Sequence, residues 1–233
     1  MPLLYQQNIN ASTKLGVWHI AEPEEYFLLA VPLHRAITHP NKRLQHLAGR
    51  FLLKELYPDF PYELIRIADT RKPFLENEAY HFSISHCGPY AAVIVSPDHR
   101  VGVDVELVSV KADKVKHKFL SEREQQLMEE MPLFPWPASR EMLLTAAWSI
   151  KEALFKWQSK TEIDFKKHLL INKMNISENE GIAHCSLKKD RRIELTVHFL
   201  FFNKNCLSWV LSKGSDDSLT PSGFEKGIIS ALQ

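Results

Sequence analysis

The chain has 233 residues, of which 45% are hydrophobic, and its 29 basic and 28 acidic residues leave a net charge of +1. This length and hydrophobic content suffice for one large domain or two small ones. The near-neutral charge argues against nucleic acid or a membrane surface as a partner bound through bulk charge, so any anion site must be local. Residues 1–10 lack the pattern of a signal peptide, and no apolar run approaches the ~20 residues of a membrane span. Three scattered cysteines, in no metal-binding spacing, predict a reducing, cytoplasmic setting.

The first half of the chain is predicted to form strands around one long helix. In residues 41–56 the apolar side chains recur on one face with the helical period, and Tyr57-Pro58 ends the helix. The predicted elements are, in order, a strand at 15–20, a short helix at 22–31, the long helix at 41–56, a strand at 62–67, and a hairpin of 81–86 with 90–96.

The second half is predicted to repeat that order. Ser121 and Glu124 fit a capping box for a helix that runs to about Met131, and a proline-rich connection leads to the longest helix, at 139–157. Strands are predicted at 164–174, 194–202 and 206–211, with a peripheral tail at 213–233. We place a joint between the halves near residues 107–118. Two such α+β halves would leave a cleft between them, which is a common place for a ligand.

A short predicted strand, VGVDVE at residues 101–106, carries two acids. Its alternation places three valines on one face and Gly102, Asp104 and Glu106 on the other. Paired carboxylates on a rigid strand suit Mg²⁺, which prefers oxygen ligands in fixed positions. Gly102 leaves room for a close approach to the backbone. The alternative interpretation is a half-exposed strand with a solvated acidic face.

The longest predicted helix contains the segment WSIKEALFK at residues 148–156. Glu152 and Lys156 are four residues apart and share a helix face, which by itself could be a surface ion pair worth ~0.3–0.5 kcal/mol. Together with Lys151 and the bulky apolar neighbours, however, the segment suits a site for an anion and a metal ion. Ser85 and His86 are adjacent, so their side chains diverge and do not suggest a serine–histidine triad.

Taken in chain order, five motifs resemble those of the 4′-phosphopantetheinyl transferases of the larger Sfp type. They are Lys72-Pro73, Phe82 through Ser85-His86, Gly102-Val103-Asp104-Val105-Glu106, Phe119-Leu120-Ser121 through Glu124, and Trp148 through Lys151-Glu152-Ala153 to Lys156. Three positions depart from the family pattern. Arg71 replaces a glycine, Leu120 replaces a second phenylalanine, and Lys118 stands where arginine is common.

The resemblance implies an α+β fold of two similar α/β halves, residues 1–107 and 108–233, related by pseudo-twofold symmetry with the active site in the cleft between them. It implies a monomeric enzyme that transfers the 4′-phosphopantetheine arm of coenzyme A to a serine of an apo acyl or peptidyl carrier protein. The transfer would depend on Mg²⁺, with Mn²⁺ as an alternative, and would release 3′,5′-ADP.

The resemblance also implies roles for individual residues. Metal ligands would be Asp104, Glu106 and Glu152. Lys151 and Lys156 would neutralise phosphate, and Lys156 would act in catalysis together with Glu152, our first choice of general base ahead of Glu124. Contacts to the nucleotide and its 3′-phosphate would come from Lys42, Arg50, Lys72, Ser85 and His86. Residues 111–119 and 131–137 are candidate contacts for an acidic carrier.

Two rival functions remain open from the sequence. One is a non-catalytic module that binds coenzyme A or a carrier protein, which the intact set of Asp104, Glu106 and Glu152 disfavours. The other is a Mg²⁺-dependent phosphodiesterase or nuclease, because acid pairs with lysines also serve those reactions. The near-neutral charge disfavours nucleic acid as the substrate.

Overall fold

The computed structural model describes residues 3–33, 36–68, 72–132, 139–158 and 162–213. The predicted peripheral tail from residue 214 onward, Arg71, and most of the proline-rich connection lie outside the described residues. Among the described residues, none of the helices combines the length and the apolar character that a transmembrane span requires.

The described elements mix helices and strands, as predicted for an α+β protein. The helices are α1 Glu24–Leu28, α2 Pro40–Leu56, α3 Lys111–Phe119, α4 Glu122–Glu130 and α5 Arg140–Gln158. The strands are β1 Leu3–Asn8, β2 Lys14–His19, β3 Ile65–Ile67, β4 Pro73–Leu75, β5 His81–Cys87, β6 Tyr90–Ser96, β7 His99–Leu107, β8 Leu169–Ser177, β9 Glu180–Lys188, β10 Arg192–Phe202 and β11 Asn205–Lys213.

The strands form two larger antiparallel sheets. The first has the order β1-β2-β6-β5, the second has the order β7-β11-β10-β9-β8, and β3 pairs with β4 alone. β7, which the sequence analysis assigned to the first half, therefore belongs by its hydrogen bonds to the second sheet, where Asp104 is opposite Ser208 on β11. The chain crosses between the sheets in the turn after β6, before the predicted joint.

Each sheet has its own helix and its own core. α2 packs on β6, β2 and β5, and α5 packs on β7 and β11. A third apolar cluster joins the opposite faces of the two sheets. Its members come from the strands of both sheets and are Leu15, Val17, Ala92, Ile94, Val101, Val103, Val105, Leu200, Phe202, Leu207, Trp209 and Leu211. The alternation predicted for VGVDVE is confirmed, because its valines lie in this shared core while Gly102 and Asp104 face α5.

The predicted helices are confirmed where their signals were local. Leu47, Leu52 and Leu56 of α2 are fully buried or nearly so, and the helix ends before Pro58. The capping box of α4 is also confirmed, since Ser121 and Glu124 exchange both hydrogen bonds. No strand or helix was predicted at β1, β4, β9 or α3, and residues 62–67 divide into a 3₁₀ turn followed by β3.

Candidate active site at the seam between the sheets

The two sheets meet along β5 and β7, where serine hydroxyl groups join the strands. The backbone N–H of Val103 donates to Ser83 Oγ at 3.1 Å, and that of Val105 donates to Ser85 Oγ at 3.2 Å. β5 and β7 thus run side by side in the same direction, although they belong to different sheets. We call this line of contact between β5 and β7 the seam.

An ion-pair cluster lies at the seam and joins α5 to both strands. Lys156 Nζ on α5 donates to Asp104 Oδ1 at 2.7 Å and to Ser85 Oγ at 2.8 Å. Ser85 Oγ in turn donates to Asp104 Oδ1 at 2.9 Å. Asp104 and Ser85 are buried, whereas about a quarter of the Lys156 side chain is exposed. The cluster brings together three residues that were predicted separately from three motifs.

A glycine allows α5 to come this close to β7. A Cβ built on Gly102 would lie 2.1 Å from the backbone oxygen of Ala153 and 2.8 Å from the backbone nitrogen of Trp157. Both neighbours are backbone atoms of a helix, so they cannot give way as a flexible side chain can. The close approach predicted for Gly102 is therefore made by α5 itself, which carries Glu152 and Lys156 to the acidic strand.

Glu152 and Glu106 are close enough to Asp104 for the three carboxyl groups to influence one another. Burial, and then the charge of Asp104, raise the pKa of Glu152 to about 7. The same two causes raise the pKa of Glu106, although Trp148 Nε1 donates to its Oε1 at 3.1 Å. With a pKa of about 7, the Glu152 carboxyl group can gain and lose a proton near neutral pH, as a general base must.

The residues at this site fit a divalent cation. Asp104 Oδ2 is buried and has no hydrogen-bond partner among the described residues. An uncompensated carboxylate oxygen in the interior is costly. The charge of Asp104 helps to raise the pKa of both Glu106 and Glu152, so the site holds more negative charge than Lys156 alone balances. As placed, however, no group of three His, Cys, Asp or Glu side chains in the described ranges is gathered tightly enough to hold a metal ion. The ligand set Asp104, Glu106 and Glu152 therefore stays a prediction.

Further cations surround the cluster on the side of β5 and the loop before β4. Burial and the nearby charge of Lys156 lower the pKa of His86, and Lys42 contributes a smaller effect of the same sign. Lys72 Nζ donates to the backbone oxygen of Lys156. Burial, followed by the charges of Arg100 and Lys156, lowers its pKa to about 8. Like charges gathered in this way favour an anion as their ligand.

The two remaining predicted phosphate contacts, Lys151 and Arg50, lie on the two long helices, α5 and α2. Lys151 is wholly buried, and its ammonium group donates to the Phe119 and Phe165 carbonyl oxygens at 2.6 and 2.9 Å while pairing with Glu124 at 2.7 Å. These acceptors occupy all three of its N–H groups, so the expectation that Lys151 contacts phosphate is corrected. Arg50 lies on α2, where its Nη1 donates to His46 Nδ1 at 3.1 Å.

Glu124, the alternative candidate for the general base, is the partner of Lys151 in this ion pair. It is buried, it accepts the N–H of Ser121 and that of Ile171, each at 2.8 Å, and it pairs with Lys151. Its oxygens therefore accept hydrogen bonds from within the protein, and its side chain is kept away from solvent. These contacts agree with the structural role that the capping box predicts for Glu124.

Two cavities adjoin the site. One of about 630 Å³ lies beside Glu152 and is lined by Lys118, Phe119, Trp148 and Phe165. Another of about 260 Å³ lies beside Lys72 and is lined by Phe74, Tyr80, His81 and Arg100. The first cavity reaches the cluster through Glu152, and the second reaches it through Lys72, whose ammonium group contacts the backbone of Lys156.

Arg100 is the functional candidate that the sequence analysis missed. It lies four residues before Asp104 on β7 and hence on the same face, with its guanidinium 5.4 Å from the ring centre of Trp157. Period-two alternation extended two residues toward the N-terminus would have identified it.

Comparisons with known proteins identify the family of the chain. A family model described as the 4′-phosphopantetheinyl transferase superfamily matches residues 100–209, which include α5 and most of the second sheet. Enterobactin synthase component D from Escherichia coli (strain K12) is 30% identical over 186 residues, which cover 75% of this chain and 87% of the relative. The L-aminoadipate-semialdehyde dehydrogenase-phosphopantetheinyl transferase of Xenopus laevis is 27% identical over 129 residues, which cover 47% and 41% of the two chains. The chain belongs to the 4′-phosphopantetheinyl transferase superfamily, and it is a transferase.

Proposed function

We propose that this protein transfers the 4′-phosphopantetheine arm of coenzyme A to a serine hydroxyl of an apo acyl or peptidyl carrier protein. The observation that carries the proposal is the Lys156–Asp104 pair at 2.7 Å, at a seam that also holds Ser85, with Glu106 and Glu152 beside it. Acids and cations gathered there suit a diphosphate and a cation, and the chain's family transfers a group held by such a diphosphate.

The reaction exchanges the phosphoanhydride bond of coenzyme A for a phosphoester bond to the carrier serine. The carrier serine oxygen attacks the β-phosphorus of coenzyme A, the bond from that phosphorus to the bridging oxygen breaks, and 3′,5′-ADP leaves with the electron pair. A serine hydroxyl is a weak nucleophile, so a base must accept its proton. Glu152, with its pKa raised to about 7, is the proposed base, directly or through a water molecule.

Other charged residues hold the diphosphate and balance its charge. Asp104, Glu106 and Glu152 would hold Mg²⁺, or Mn²⁺ in its place, which when bound supplies positive charge to the phosphate oxygens. Lys156 is the proposed catalytic cation, because its ammonium group lies against Asp104 and about a quarter of its side chain is exposed. It would neutralise charge that builds up on the leaving group.

The nucleotide is proposed to lie on the side of Lys72. His86, Lys42 and Arg50 are the proposed contacts for its 3′-phosphate, and Lys72 borders the cavity of about 260 Å³. Such contacts far from the reacting atoms fix the position of the substrate. Arg100 joins Lys72 in lining the same cavity and is added to the proposed anion contacts.

The carrier protein is proposed to approach along α3, toward the cavity beside Glu152. Lys111, Lys114 and Lys118 of α3 are exposed, and Leu107 and Val110 just before it are each about half exposed. A basic and partly apolar surface suits an acidic helical carrier. Lys118 also lines the cavity that contains Glu152, so the surface leads to the site.

We also propose a monomer of the Sfp type whose halves, residues 1–107 and 108–233, are related by pseudo-twofold symmetry around a cleft. In support, each larger sheet carries one long helix, and a shared core lies between the sheets. β7 would then cross from the first half to complete the second sheet. A cytoplasmic setting is supported by the three free cysteines, Cys87, Cys185 and Cys206.

The test is a transfer assay with purified protein, coenzyme A, Mg²⁺ and an apo carrier, read by intact mass. We expect the carrier to gain the arm and an Asp104→Ala variant, folded by circular dichroism, to transfer at least ~100-fold more slowly, since it removes both the proposed ligand and the partner of Lys156. The control is Glu76→Ala, an exposed acid on the same chain, which should transfer normally.

The assay separates the rival functions. If the protein binds coenzyme A but none of several apo carriers gains mass, the protein is a non-catalytic binding module. Release of a nucleotide without any gain on the carrier would indicate a phosphodiesterase. Lys114→Glu with Lys116→Glu should weaken carrier affinity, and unchanged affinity would reject the α3 surface.

A further inference from the structure

The hydrogen-bonding capacity of the Ser85 hydroxyl group is fully used inside the protein. A serine hydroxyl group can donate one hydrogen bond and accept two. Ser85 Oγ donates to Asp104 Oδ1 at 2.9 Å, and it accepts from Lys156 Nζ at 2.8 Å and from the N–H of Val105 at 3.2 Å. Because Ser85 is also 94% buried, its hydroxyl group has neither a free lone pair nor a free proton for a phosphate.

The two carboxylate oxygens of Asp104 differ in their hydrogen bonding. Oδ1 accepts from Ser85 and from Lys156, whereas Oδ2 has no hydrogen-bond partner among the described residues. A carboxylate held through one oxygen by two donors cannot rotate without breaking both hydrogen bonds. The second oxygen is therefore kept in one orientation and available to a cation.

Ser83, two residues earlier on β5, provides an internal comparison. It is also buried, and its Oγ accepts the N–H of Val103 at 3.1 Å, in the same way that Ser85 accepts the N–H of Val105. Within the described residues, Ser83 Oγ makes no hydrogen bond with Asp104 or Lys156, so the two serines share the seam and differ in their contact with the acid. Any effect specific to Ser85 must come from Asp104 and Lys156.

The geometry points to Ser85 as a positioning residue for the divalent cation: its hydroxyl group holds Asp104 Oδ1 so that Oδ2 serves the metal ion. This inference rests on the proposed function, and it gives Ser85 a role other than the 3′-phosphate contact that the family resemblance implies. Partners that orient a metal ligand typically change metal affinity by ~10- to 100-fold when they are removed.

The two roles differ in what Ser85→Ala changes. If Ser85 positions Asp104, the variant loses metal affinity and keeps its preference for coenzyme A over 3′-dephospho-coenzyme A. If Ser85 contacts the 3′-phosphate, the variant loses that preference and keeps its metal affinity. Ser83→Ala removes a seam hydrogen bond of the same kind and should change neither property.

The experiment titrates Mn²⁺ into wild-type protein, Ser85→Ala and Ser83→Ala at saturating coenzyme A, with free Mn²⁺ read by electron paramagnetic resonance. Calorimetry in chelator then compares coenzyme A with 3′-dephospho-coenzyme A. We expect Ser85→Ala to bind Mn²⁺ at least ~10-fold more weakly than Ser83→Ala, with an unchanged ratio of affinities for the two nucleotides. Ser85→Thr, which keeps the hydroxyl group, should restore Mn²⁺ affinity.

Equal Mn²⁺ affinities of the two alanine variants would overturn the inference, as would a wild-type protein that does not bind Mn²⁺ under these conditions. If Ser85→Ala does not fold, Ser85→Cys replaces it, because a thiol of similar size is a poor donor to Asp104 and predicts the same loss. No carrier protein is present in the titration. A failure to modify the carrier would therefore reject the proposed function without affecting this result.

Discussion

Lys151 and Glu124 form an ion pair at 2.7 Å in which neither side chain is more than 2% exposed. The pair joins α5 to the start of α4, and through the N–H of Ile171 it also joins β8. Lys151 is adjacent to Glu152, yet it points into the core of the second sheet. This pair therefore supports the helix that carries Glu152 and Lys156.

Replacing Lys151 with methionine should destabilise the protein by ~3–5 kcal/mol, because it leaves the Glu124 carboxylate buried without its cation. Urea unfolding measures the loss. The matched control is Lys114→Met, an exposed lysine of α3, which should change stability by less than ~0.5 kcal/mol. A stable Lys151→Met protein with a raised KM for coenzyme A would instead restore Lys151 as a phosphate contact.

Gly102→Ala should separate α5 from β7. The new Cβ would lie 2.1 Å from the Ala153 carbonyl oxygen, so the helix must move, and we expect a loss of ~2–4 kcal/mol together with most of the transfer activity. Thermal unfolding and the mass assay measure the two effects. In Gly16→Ala the nearest atoms are methyl groups of Leu52 and Leu56 at 3.2 Å, which can shift, so this control should cost less. Equal costs would contradict the argument.

The metal-free protein should become less stable as the pH rises toward 7 because of Glu152. Its pKa is raised from 4.5 to about 7, so the folded state holds this proton more tightly than the unfolded state does. The stability that this proton provides is fully present below about pH 4.5 and is lost as the pH rises to about 7.

Glu152→Gln removes that dependence and should stabilise the protein at pH 8 by on the order of 2 kcal/mol, and hardly at all at pH 4. Urea unfolding in chelator at both pH values measures the difference in free energy of unfolding between the variant and the wild-type protein. Added Mg²⁺ should make this difference smaller. Exposed Glu76→Gln should show no such pH dependence. A Glu152→Gln effect that is equal at both pH values would show that the carboxyl group titrates normally.

The affinity for coenzyme A should fall above pH 8 because Lys72 loses its proton. Burial and the charges of Arg100 and Lys156 lower its pKa to about 8, and a neutral amine attracts an anion less strongly. We expect KM for coenzyme A to rise ~3- to 10-fold between pH 7 and pH 9. Lys72→Arg keeps its charge throughout this range and should show a flatter profile. An identical rise in the variant would assign the titration to another group.

Several elements could be predicted from the sequence because their signals are local. The helical period of α2, the capping box of α4 and the alternation of VGVDVE each depend on residues within a few positions of one another. β1, β9 and α3 were missed because their side chains mix polar and apolar types without a clear period. Their positions are set by partner strands and by α5 instead.

The face of α5 on which Lys151 and Lys156 each lie could be predicted only in part. Lys151 and Lys156 are five residues apart, which is about 140° around a helix, whereas Glu152 and Lys156 differ by about 40°. Helical geometry therefore separates Lys151 from the other two. It does not say which face meets the core, and that was decided by the buried acceptors Glu124, Phe119 and Phe165.

The sequence by itself determined the chemistry, since three acids, the lysine of α5 and the Ser85-His86 pair are all present in short motifs in family order. Tertiary structure decided which of these groups meet. β7 joins the second sheet while Ser83 and Ser85 connect it to the first, and Lys156 reaches Asp104 across the seam. The hydrogen bonds to Ser83 and Ser85 join residues 20 positions apart, and the Lys156–Asp104 pair joins residues 52 positions apart. No local pattern specifies them, because they depend on how two sheets and a helix pack around a glycine.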